Sequence, residues 1–252
     1  MKNPIIKTIL QLTIFSIAMG FLETAVVFYI RKLYYPGGFN FPLVPITKDI
    51  AITEFWREVA TIVMLAGIGI IAGKNKQQRF AFFIYCFAIW DIFYYVFLYV
   101  LLGWPQSLFT WDILFLIPVP WVGPVLCPCL VSLTMIALAM VIIYAQEKGL
   151  SGKTNRTERW IMLAGCALIL VSFMWDYVSY VMQHHREQGP WSYSLHKDLF
   201  SEAVGYVPSH FNWMLYLPGQ IMLIGGVLLF WLRMRKGSRL QISASREWKQ
   251  VG

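Results

Sequence analysis

The chain has 252 residues, of which 58% are hydrophobic and only 13% charged, about half the charged share of an ordinary soluble domain. So little ionic surface cannot keep a water-soluble fold of this size hydrated, which leaves a protein whose outer face meets lipid. The formal net charge of +8 punctuates long apolar runs instead of forming a stripe, which argues against a nucleic-acid partner.

A membrane-spanning helix needs about 20 mostly apolar residues, and six runs qualify: 8–30, 54–73, 80–102, 124–145, 160–182 and 212–232. The expectation is an all-α, polytopic helical bundle over residues 1–236, followed by a basic tail at 237–252. The first run follows Lys2 and Lys7 and holds Ser16-Ile17-Ala18, as a cleavable signal would. It stays apolar to Ile30, however, long enough to span, so it reads as a retained helix. The second run opens with Thr53-Glu54-Phe55-Trp56-Arg57-Glu58. Acids in a first turn suit the positive end of the helix dipole, and Arg57 is spaced to pair with Glu54 or to reach a carboxylate on a neighbouring helix. Gly69 and Gly73, farther along this run, form a small-xxx-small face suited to close helix packing.

The third and fifth runs carry an echo, Trp90-Asp91 with Tyr95-Val96 in one and Trp175-Asp176 with Tyr180-Val181 in the other. Ahead of the fourth span, residues 111–130 read WDILFLIPVPWVGPVLCPCL, with prolines at 118, 120, 124 and 128. Proline removes a backbone donor and disfavours helix in the residue before it. A short interfacial or re-entrant piece at 112–117 is expected, with Asp112 solvated and the span starting near Pro124. The last outer loop, 183–211, places Leu195, Leu199, Phe200 and Val204 at helical spacing, which predicts a short amphipathic surface helix. Pro218-Gly219 marks a distortion early in the sixth span.

Lys and Arg give the orientation. Fifteen fall at the N-terminus, the second-to-third and fourth-to-fifth connections and the C-terminal tail, and six fall on the other side. Because these residues mark the cytoplasm, both termini are expected inside, and a bacterial host would place the chain in its inner membrane.

Ionisable side chains within spans are costly and mark positions that face the bundle interior. Glu23, Asp91 and Asp176 are such residues, one on each odd-numbered span. At 1.5 Å per residue they lie roughly 24, 18 and 25 Å beyond Lys7, Arg79 and Arg159, toward the middle and outer half of the membrane. Together with Glu54, Arg57 and Glu58 they predict a carboxylate-rich binding pocket open to the extracytoplasmic side. The competing reading is a set of interhelical hydrogen bonds and ion pairs that only hold the bundle together.

The metal candidates are secondary. His184, His185 and His210 border the last outer loop, but not at the spacing of a helical ligand pair. Cys127-Pro128-Cys129 resembles the intramembrane Cys-Pro-Cys of heavy-metal transporting ATPases over those three residues, which implies a soft metal such as Cu(I). None of that family's phosphorylation or nucleotide-binding machinery accompanies it, and a packed thiol pair is the competing reading. No cofactor is indicated. Three function classes remain: a site that binds or transports a cation, a proton or a small polar solute; a non-catalytic subunit or assembly factor of a larger membrane complex; and an enzyme acting on a lipid-linked substrate. The lipid bilayer is the expected partner, with a homo-oligomer or a membrane complex beyond it.

Overall fold

The computed structural model describes residues 4–184 and 205–251. It is mostly helical: α1 (Pro4–Tyr34), α2 (Lys48–Ala72), α3 (Lys76–Leu102), α4 (Leu126–Glu147), α5 (Arg156–His184) and α6 (Trp213–Val251). All six are long and apolar enough to cross a membrane. The amphipathic surface helix expected at 195–204 lies outside the described residues.

The helix ends follow local chemistry. Asn75 caps α3 by accepting from the Gln78 N–H at 3.0 Å, and Gly103 closes it in the left-handed conformation at φ 64°. Residues with a Cβ rarely adopt that φ. At α5, Asn155 and Glu158 form a reciprocal capping box. The Glu158 N–H donates to Asn155 Oδ1 at 2.8 Å, and the Asn155 N–H donates to Glu158 Oε2 at 2.9 Å. Arg233 of α6 then grips Glu158 through Nε and Nη2, each at 2.7 Å, which ties the start of α5 to the middle of α6.

Helix α3 is central, packed by α1, α2 and α4, while α5 pairs with α6 and α6 touches α4. Small residues permit the close approaches. A Cβ on Gly69 would sit 2.9 Å from the Arg79 carbonyl, and one on Gly165 would sit 2.7 Å from the Gly219 carbonyl. The outer faces are apolar, with Leu22, Val63, Ile71, Val100 and Ile221 all exposed. That inverts the pattern of a soluble protein and suits contact with lipid tails.

Between α3 and α4, over the stretch expected as a short interfacial or re-entrant piece, the chain is extended and not helical. Residues Trp111–Phe115 (β1) and Trp121–Pro124 (β2) pair as an antiparallel hairpin, with Asp112 opposite Gly123 and Ile113 opposite Val122. Its ladder satisfies backbone groups that the prolines bar from helix, as irregular chain near a bilayer requires. The Val125 and Leu126 N–H groups donate back to Thr110 and Leu108, fastening the hairpin to the start of α4. Pro218, by contrast, is accommodated within α6.

Candidate functional site

A cavity of about 1210 Å³ lies between α1, α2 and α3, with the hairpin and the loop before α2 completing its walls. Along α2 it runs from Lys48 to Thr61, roughly 20 Å at the helical rise. Exposed Ile46, Ile52 and Trp56 line its mouth. Thr61, Glu23 and Asp91 lie toward the middle of their helices, at its inner end.

Five of the six residues singled out for binding line this cavity: Glu23, Glu54, Arg57, Glu58 and Asp91. Arg57 bridges α1 and α2, donating from Nη1 to Glu23 Oε1 and from Nε to Glu54 Oε2 at 2.8 Å. Thr61 Oγ1 adds a bond to Glu23 Oε2 at 3.2 Å. Both partners foreseen for Arg57, the neighbour on its own helix and a carboxylate across the bundle, are therefore engaged. Glu58 is buried and accepts the Leu116 N–H at 2.9 Å, anchoring the hairpin to α2. Asp91 accepts from Ser132 Oγ of α4 at 2.8 Å. Among the described residues, neither Glu58 nor Asp91 has a cation within ion-pair distance.

Asp176 stands apart. It is buried beside α6 and accepts from Tyr206 Oη at 2.5 Å, Ser209 Oγ at 2.8 Å and the Ser209 and His210 N–H groups at 3.2 and 3.1 Å. Burial and the bond to Asp176 both push the Tyr206 hydroxyl well above its ordinary pKa. Four donors satisfy this carboxylate and fix the segment leading into α6. Three acids do not meet at one level, then; Glu23 and Asp91 share the cavity and Asp176 does not.

The sequence reading missed Arg31 and Asp112. Asp112, expected in solvent, is 1% exposed, and Arg31 is 6% exposed. Arg31 Nη2 donates to Asp112 Oδ1 at 2.9 Å, and the guanidinium carbon stands 3.8 Å from the Trp104 ring centroid and 4.2 Å from that of Phe39. Burial pushes the Asp112 carboxyl up to about 6, against the pull of Arg31. Both residues line the cavity. No local signal joins residues 81 positions apart. The available hint was the cost of ending an apolar helix with Arg31 unless a partner waits there.

The metal candidates do not gather. No group of three or more His, Cys, Asp or Glu side chains among the described residues is arranged to hold a metal ion. Cys127 is buried among Ile169, Phe173 and Tyr216, Cys129 is half-buried, and His210 is exposed. His184 ends α5, and His185 lies outside the described residues. No protein-family model, curated protein or solved structure matches this chain.

Proposed function

We propose that this chain binds a small cationic or polar solute in the cavity between α1, α2 and α3 and passes it, or a proton, across the membrane. The observation that supports this best is the gathering of Glu23, Glu54, Glu58, Asp91 and Asp112 around one cavity whose cations are Arg31, Lys48 and Arg57. Intramembrane acids are costly and are retained where they are used. Arg57 compensates Glu23 and Glu54, and Arg31 compensates Asp112, whereas Glu58 and Asp91 rest on neutral donors. A cation arriving beside Asp91 supplies the missing charge, and a proton serves that purpose when the solute departs. On this reading both termini are cytoplasmic, the mouth faces outward, and a bacterial host would hold the chain in its inner membrane.

Reconstitution into proteoliposomes tests the reading, with tetramethylammonium uptake and internal acidification as the two signals. Native protein is expected to pass one or both, and Asp91→Asn to lose them with folded yield intact. Undiminished flux through Asp91→Asn would remove the centre of the proposal.

A further inference from the structure

We infer that the ligand of this cavity is an organic ammonium ion with an apolar body about the size of an aromatic ring and an oxygen that accepts a hydrogen bond. The inference rests on the binding reading above and narrows it to a chemical class. Size comes first: about 1210 Å³ exceeds the roughly 300–1,000 Å³ of ordinary small-molecule sites. A bare metal ion needs several oxygens converging within about 2.0–2.6 Å of one point. Here the carboxylates are drawn apart, Glu23 and Glu54 toward Arg57, Glu58 toward the hairpin and Asp91 toward α4.

The walls indicate what fills the remaining space. The lining includes Tyr35, Phe39, Phe55, Tyr94 and Phe115, together with apolar side chains of α1 and the hairpin. Aromatic faces attract an alkylated ammonium through their quadrupoles while tolerating its hydrocarbon, which a strongly hydrated metal ion does not offer. Asp91, Glu23 and Glu54 keep accessible surface, so their charge is within reach of a guest.

A separate observation points to a guest with an oxygen. Arg31 and Trp90, lining residues 6% and 7% exposed, carry Nη1 and Nε1 donors that have no hydrogen-bond partner. Unpartnered buried donors are rare in folded chains and call for an acceptor. Both nitrogens are fully buried, so an ester, hydroxyl or carbonyl oxygen on the ligand answers one of them as neighbouring side chains give way, while its ammonium group meets the acids.

The experiment is equilibrium binding of radiolabelled tetramethylammonium and benzoylcholine to the full chain in lipid nanodiscs, with empty nanodiscs subtracted. Benzoylcholine is expected to bind at least tenfold more tightly than tetramethylammonium. Benzoate, which shares the ring and not the cation, is expected not to compete, and Asp91→Asn should lose both cations. Should that variant fail to fold, Glu58→Gln, the other lining carboxylate without a cation partner, carries the same expectation. Equal affinity for the two cations, or displacement by sodium as effective as by tetramethylammonium, overturns the ligand class and leaves the cation-binding reading standing. Absence of specific binding by both cations, or benzoate competing as well as they do, overturns both.

Discussion

A few charged side chains of this protein turn inward, and the pair formed by Arg31 and Asp112 carries the clearest consequence. Both are buried, and the guanidinium lies between the rings of Phe39 and Trp104. Removing one member of a buried pair strands the other in a low dielectric, at a cost of roughly 3–5 kcal/mol. Arg31→Ala is therefore expected to lower the thermal unfolding midpoint sharply. Arg31→Lys should recover little of the loss, because a compact ammonium neither stacks between two rings nor presents the same planar fork. Replacing both members, as in Arg31→Met with Asp112→Leu, should restore most of the stability, since an apolar pair of similar volume leaves no orphan charge. A double variant no better than Arg31→Ala would mean that the loss comes from the pair's own bonds and ring contacts and not from a stranded charge. The same contrast explains what was legible at this scale. Acids inside apolar runs announce themselves, so Glu23 and Asp91 were found. Asp112 sits among prolines in a segment with no clear period, and its partner is distant in the chain.

Among the elements, the helices were written in the apolar runs, and α1 to α5 begin and end within several residues of their expected spans. The largest shift is at α6, which runs on to Val251 past an apolar run that stops near residue 232, and the next is at α2, which starts at Lys48 instead of residue 54. The hairpin was not legible. Its strands are five and four residues long, and a short apolar stretch broken by prolines fits a strand, a loop or a re-entrant turn equally well. The repeated Trp-Asp pair was legible as a pattern but misleading as a role. Trp90 is buried and Asp91 faces the cavity, whereas Trp175 is exposed and Asp176 fastens the approach to α6. Helix packing offers a direct check. The Cβ of an alanine at Gly165 would meet the Gly219 carbonyl at 2.7 Å, and backbone cannot swing aside as a flexible side chain can. Gly165→Ala is expected to destabilise α5 against α6 by about 1–3 kcal/mol, as overpacking does. Gly225→Ala, with nothing within 4 Å of its Cβ, should be neutral or stabilising through helix propensity. Thermal unfolding of the two variants side by side separates crowding from any general intolerance of larger residues.

For the whole molecule, the succession of six helices places the hairpin, the loop before α2 and the cavity mouth at one end of the bundle. The connections between α2 and α3 and between α4 and α5 lie at the other. Which end meets the cytoplasm is a question of charge, not of shape, and the orientation proposed from the bias of fifteen Lys and Arg to six, with the mouth outside, is open to a direct test. Lys48 at the mouth and Ser151 in the connection between α4 and α5 are both exposed, so each can be exchanged for cysteine without disturbing a packed contact. The native cysteines are poor targets: Cys86 and Cys127 are buried, Cys129 is half-buried, and Cys166 is exposed only on the apolar flank of α5, away from a water-borne reagent. A membrane-impermeant maleimide applied to intact cells should therefore label Lys48→Cys. Ser151→Cys should react only after the membrane is opened. The reverse pattern would leave the fold and the cavity unchanged but turn the acids toward the cytoplasm. Any cation would then be taken from inside, and the proposed direction of capture would have to be inverted.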